Sequence, residues 1–214
     1  MHEFPQRLLD GYSDFIAGRY AREKARYREL ASTGQTPSTM IIACCDSRAA
    51  PETIFDAGPG ELFVLRNVAN LVPTYQPDAA QHGTSAAIEF AVNSLEVSNI
   101  VVMGHGRCGG IRAALNPKAK PLDEGDFIGK WMSMLGPVSA QVGASTMLTP
   151  TERETALERI SVRHSIANLR TFPYIARLEA EGKLLLHGAW FDILLGELWV
   201  MNSETGDFLR PEIG

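Results

Sequence analysis

No uninterrupted apolar run in this chain approaches the roughly 18 residues that would suggest a membrane span. Positive charge is also in short supply. Against 25 Asp and Glu stand 20 Lys and Arg, a formal net charge of −5 in 214 residues. Nucleic-acid binders usually carry a basic excess or stripe, so that class is disfavoured. The one basic cluster, RYAREKARYR at 19–28, alternates with Glu23 and apolar residues and reads as a solvated helix face. The opening MHEFPQRLLDGYSDF has neither a cationic start nor an apolar h-region, so no signal peptide is expected and the expected location is cytoplasmic. Cysteine is sparse and odd in number: Cys44, Cys45 and Cys108. A disulfide framework is therefore disfavoured, and metal binding or catalysis is the better use for them. Internal repeats and low-complexity tracts are absent.

What is present is 45% hydrophobic and 21% charged residues, the composition of a globular chain with a real core. Residues 5–32 carry apolar side chains at helical spacing (Leu8, Tyr12, Phe15, Ile16, Tyr20, Tyr27, Leu30), interrupted by Gly11 and Gly18, so one broken helix or two shorter ones is expected. Short apolar runs at 39–44, 61–65 and 99–103 read as buried strands. Between them lie a short helix at 51–56 with Pro51 first, a polar loop at 68–81 and an amphipathic helix at 84–95. The turn at 104–110 feeds a helix at 111–115. Pro and Gly fragment 116–144 into short helices around Trp131. A capping-box pattern at Thr151 and Glu154 opens a helix running to about Thr171, followed by a helix at 174–181. Strands at 183–193 and 197–202 end the chain.

Strands alternating with helices predict an α/β fold. The expected architecture is a mostly parallel sheet of four central strands plus an antiparallel edge strand, flanked by helices. The expected organisation is one domain: a helical arm at 1–36, an α/β core at 37–116, a helical region at 117–182 and C-terminal strands at 183–214.

Two stretches carry chemistry. MIIACCDSR (40–48) and MGHGRCGG (103–110) are apolar runs that stop at metal-capable side chains. Cys44, Asp46, His105 and Cys108 offer two thiolates, a carboxylate and an imidazole, a donor set that zinc takes tetrahedrally. Cys44 and His105 both fall at the carboxyl end of a strand, where parallel sheets bind ligands. Successive strand side chains alternate, so Cys45 should face away and be a small buried apolar residue. Asp46 either closes the site as a fourth ligand or is held off by Arg48 in a bidentate pair, leaving the fourth position to water. Two thiolates already neutralise the ion, so acidification of that water should be modest and activity should need mildly alkaline pH. His82 and His164 read as surface or satisfied residues, His187 as structural and His2 as mobile.

CCDSR, RNVAN (66–70) and GHGRCGG, with IEFAV (88–92) and LHGAWFDI (186–193), together resemble a β-class carbonic anhydrase across nearly the whole chain. The resemblance implies reversible hydration of CO2 to bicarbonate and a proton by a zinc-hydroxide mechanism, in a homodimer or dimer-built homotetramer with sites near the subunit interface. It implies Zn2+ on Cys44, His105 and Cys108, with Asp46 and Arg48 as the catalytic pair. For substrate binding it implies the partner subunit's Gln35 together with Phe63, Val68, Phe90 and Gly109. Some members switch off when bicarbonate fills a pocket built from a Trp and a Tyr. Those positions are Ile41 and Phe191 here, so that regulation is not expected. Two alternatives stand beside this one: a CS2 or COS hydrolase on the same scaffold, and a non-catalytic zinc-stabilised module with Asp46 as permanent fourth ligand. Arg48 argues against the second, because it would lose its partner. A phosphate-binding loop fits poorly, since no Lys-Ser/Thr follows the glycines.

Overall fold

The computed structural model describes residues 4–78, 80–116 and 120–212; His2 and Pro117 lie outside them. The chain opens with α1 (Gln6–Phe15), a π-helical turn (Ile16–Tyr20) and α2 (Ala21–Thr33), which ends at Gly34 with φ 83°. The helix therefore widens at Gly18 but does not break. Each glycine costs a helix about 1 kcal/mol relative to Ala. Rings meet across the wide turn, with Tyr20 and Tyr27 centroids 5.2 Å apart and Phe15 and Tyr27 6.0 Å apart. The Arg19–Glu23 and Arg26–Glu29 ion pairs add to this.

There follow β1 (Thr39–Cys44), α3 (Pro51–Ile54), β2 (Leu62–Asn67), α4 (Gly83–Asn93), β3 (Asn99–His105) and α5 (Gly109–Ala114). The fragmented region forms α6 (Phe127–Met132) and α7 (Gly136–Gly143), and then come α8 (Pro150–Leu169) and α9 (Pro173–Ala180). The chain closes with β4 (Leu185–Asp192), β5 (Glu197–Met201) and β6 (Phe208–Leu209). Among the described residues no helix is long and apolar enough to cross a membrane.

The sheet order is β2-β1-β3-β4-β5-β6, with β1 to β4 parallel and β5 and β6 antiparallel. The fifth strand is thus not the edge. A sixth, too short to show a period, covers it, and its Phe208 is buried beneath the Arg159 and Arg163 guanidinium groups. Alternation sorts the central strands. Met40, Ile42, Ile100 and Val102 join Ile88 and Val92 of α4 and Val162, Ile166 and Leu169 of α8 in the main core. Ile41, Ala43, Met103 and Ala189 form a thinner cluster on the other face, with Ile54 against it.

Helix α8 starts two residues earlier than its sequence suggests. TPTE (149–152) and TERE (151–154) both fit the capping pattern, but Pro150 is suited to the first helical position, which makes Thr149 the cap. Thr149 Oγ1 accepts from Glu152 N at 3.3 Å, and Glu152 Oε2 accepts from Thr149 N at 2.8 Å.

Candidate metal centre

From β1 the chain turns outward to β2 on one side and returns to β3 on the other, so the sheet's switch point lies between β1 and β3. Ligands bind outside the carboxyl ends of strands at such a point. Here β1 ends at Cys44 and β3 at His105. A tight turn then brings in Cys108, passing through Arg107 in the left-handed region at φ 60°. The three donor atoms of Cys44, His105 and Cys108 lie within 4.8 Å of one another and all three residues are buried.

The donors fit zinc. Two sulfurs each about 2.3 Å from one ion at a tetrahedral angle would stand about 3.8 Å apart; Cys44 Sγ and Cys108 Sγ are 3.9 Å apart. His105 Nδ1 lies 2.9 Å from the Gly106 carbonyl oxygen. A carbonyl only accepts, so Nδ1 carries the proton and Nε2 keeps its lone pair. That Nε2 is buried without a hydrogen-bond partner. A buried acceptor left open beside two sulfurs is what a metal-ligating imidazole presents.

Electrostatics agree. Across their 3.9 Å contact the two thiols share a proton, and the Cys44 thiol is brought well below its ordinary value, with His105 and the main-chain N–H groups of Asp46 and Ala69 acting with Cys108 against the cost of burial. Cys108 is pushed up correspondingly, first by its bond to Cys44 and then by burial. Burial works against a charged imidazole at His105, but the nearby Cys44 sulfur and its charge outweigh it and carry its pKa upward.

Asp46 stands beside this trio and is gripped by Arg48. Arg48 Nε donates to Oδ1 at 2.9 Å and Nη2 to Oδ2 at 2.7 Å, while the Arg48 main-chain N–H adds a bond to Oδ1 at 3.0 Å. These side-chain bonds are the largest of the causes that hold the carboxyl well below the usual carboxylate range. Arg48 also reaches the Arg107 carbonyl, at 3.3 Å, linking the two ligand-bearing turns.

Two residues that received no role from sequence steady these turns. Arg66 Nε donates to the Cys44 carbonyl at 2.9 Å and Nη2 to the Asp46 carbonyl at 2.7 Å. Its position inside RNVAN was the available signal. Glu158 on α8 is 1% exposed and accepts from the Cys108 main-chain N–H at 3.0 Å. Its signal was an acidic residue on a helix face shared with Val162. Burial raises its pKa, opposed by bonds from Cys108 and Trp190.

Expected pocket residues are placed unevenly. Val68 packs on the apolar cluster that contains Cys44 and Cys108 and lines a cavity of about 580 Å³ with Cys45, Asn67, Thr84 and Trp131. Phe63 and Phe90 pair with each other, centroids 5.9 Å apart, and Phe63 packs on the main core instead. Phe90 is 48% exposed, Gln35 is exposed after α2, and Gly109 is exposed at the start of α5. Cys45 is not part of the Cys44–His105–Cys108 trio, but it is exposed and not buried. The strand stops one residue before it. His187 Nε2 pairs with Asn99 Oδ1 at 3.0 Å and His82 with Asp78 at 2.7 Å.

The family model described as carbonic anhydrase matches residues 39–198. A carbonic anhydrase of Pseudomonas aeruginosa is 36% identical over 210 residues, covering 96% of this chain and 93% of that protein. Among solved structures, the β-carbonic anhydrase CcaA superposes with a TM-score of 0.88 at 29% identity, over 97% of this chain and 92% of that one. One of two tetrameric β-carbonic anhydrases from Sordaria macrospora gives a TM-score of 0.78 at 28% identity, over 96% and 98% of the two chains. Sheet order, the Cys- and His-bearing strand ends and these similarities agree: the chain belongs to the β-class carbonic anhydrases.

Proposed function

We propose that this enzyme interconverts carbon dioxide and bicarbonate at a zinc ion held by Cys44 Sγ, His105 Nε2 and Cys108 Sγ. The observation that carries the proposal is the buried trio of donors beside a carboxylate whose two oxygens are already engaged by Arg48. Zinc held there would supply Lewis-acid chemistry, which brings the pKa of water from about 15.7 toward about 7. Asp46, kept ionised by Arg48, accepts a hydrogen bond from the attacking water and so aims its oxygen at the carbon of CO2. Arg48 has a second effect, because a carboxylate bound at both oxygens is poorly placed to become a fourth ligand. Val68, packed beside Cys44 and Cys108, provides an apolar wall, which suits a substrate with no dipole. The partner subunit's Gln35 and the main chain of Gly109 provide the polar contacts.

The working unit in this proposal is a homodimer or a dimer-built tetramer. It is supported by an arm whose described residues are all at least partly exposed, with Phe4, Leu8, Leu9, Tyr12 and Ile16 among the exposed large apolar side chains. Three unpaired cysteines suit a reducing, cytoplasmic location. The relatives named above are carbonic anhydrases rather than CS2 or COS hydrolases, and the Asp46–Arg48 geometry speaks against a closed, non-catalytic site.

Stopped-flow CO2 hydration with zinc measured in each sample tests this on wild type, Asp46→Ala and Cys44→Ala. Cys44→Ala should lose both metal and rate. Asp46→Ala should keep its zinc and lose about 10²-fold or more in rate. Loss of zinc from Asp46→Ala would instead make Asp46 a ligand and overturn the orienting role.

A further inference from the structure

The turn that carries His105 and Cys108 is wedged between α8 and β4. A Cβ at Gly104 would lie 2.9 Å from Val162 Cγ2, and one at Gly106 would lie 3.2 Å from Trp190 Cζ2. At the centre of this wedge is Glu158, whose two oxygens face two different donors. The Cys108 main-chain N–H reaches Oε1 at 3.0 Å and the Trp190 indole N–H reaches Oε2 at 3.1 Å. Cys108 caps the start of α5 but has no side-chain capping bond there. In a capping box the third helical residue's own carboxylate takes the cap N–H. Here a carboxylate 50 residues away, on another helix, takes it instead.

We propose that Glu158 is a positioning residue for the metal centre: by holding the main chain of Cys108 against Trp190, it fixes the direction in which the Cys108 sulfur points. The inference rests on the zinc assignment above and concerns how that zinc is held. The two-donor arrangement explains why the residue is an acid. A carboxylate only accepts and offers one oxygen to each donor, whereas an amide of the same shape offers one acceptor and sets its own N–H groups against the remaining donor. Partners of this kind, bonded to a ligand and not to the ion, typically change metal affinity 10–100-fold when replaced.

Zinc affinity by chelator competition, with the thiolate-to-metal charge-transfer spectrum of the Co2+-substituted protein, tests the proposal on wild type, Glu158→Gln and Ile166→Val. Ile166 is buried two turns further along α8 and its apolar side chain makes no hydrogen bond to any of these groups, so its variant measures the effect of loosening the helix core. Glu158→Gln should bind zinc about 10–100-fold more weakly, with a shifted charge-transfer band. Ile166→Val should lower the urea midpoint and leave affinity and spectrum unchanged. Wild-type affinity and spectrum in Glu158→Gln, or equal weakening in Ile166→Val, would overturn the positioning role. A wild-type protein that binds no zinc would remove the metal assignment itself, and Glu158's role with it, a result distinct from either.

Discussion

On α8, His164 Nε2 lies 3.2 Å from Asn168 Nδ2, and that amide also donates to the Val72 carbonyl at 2.7 Å. An amide nitrogen only donates, so the imidazole nitrogen facing it is unprotonated. Burial lowers the His164 pKa from its ordinary 6.5. Between the lowered value and 6.5 the unfolded chain binds more protons than the native one, so stability rises with pH through that window and is level above it. Replacing His164 with Gln should shrink the difference in urea midpoint between about pH 7.5 and about pH 5.5 relative to wild type. Asp46 behaves oppositely. Its depressed pKa keeps the Arg48 pair intact until the pH falls far below the carboxylate range, so a rate that fades between about pH 8 and pH 6 is not protonation of Asp46. The cluster of Cys44, His105 and Cys108 was legible because Cys44 and His105 each end an apolar run. Glu158 was not, because nothing near it in sequence announces a partner 50 residues away. Cys45 was misjudged because alternation gives the face a side chain points to, not whether anything covers that face.

At the scale of elements, α8 carries both Glu158 and much of the core, and its start depends on one cap. Thr149→Ala removes the side-chain half of the capping box and should cost about 0.5–2 kcal/mol, measurable by urea unfolding. Thr151→Ala, at the position the sequence also allowed, should cost less because Thr151 caps nothing. The two-residue ambiguity arose because both frames satisfy the same pattern, and the fixed backbone angle of Pro150 decides between them. The arm was read as helical with an interruption at Gly18, and the structure puts a π turn there. Helix propensity penalises Gly18 locally, but the Phe15, Tyr20 and Tyr27 rings that hold the wide turn together are a tertiary effect. β6 was missed because two residues cannot display a period.

For the whole molecule, the mostly parallel sheet and the meeting of Cys44 and His105 at its carboxyl edge were readable from alternating strand and helix patterns, whereas the order of the strands was not, because periodicity does not say which strands are neighbours. The oligomeric state was not, since an amphipathic arm packs as well on its own sheet as on a neighbour's. In the structure the arm stays largely uncovered, although Arg19 Nη2 ties it to the Ala57 carbonyl at 2.6 Å. Light scattering after size exclusion should therefore find wild type as a dimer or tetramer and a Leu8→Glu/Tyr12→Glu variant shifted toward monomer. An unchanged mass in the variant would place the assembly contact elsewhere.

The two sulfurs belong to residues 64 apart, and everything from the end of β1 to the start of α5 lies between them. An ion gripped at both ends would act as a detachable staple across that stretch of chain. Its removal would then release the closure of a long loop as well as the chemistry, so the metal-loaded enzyme would be held shut at the very seam where it works.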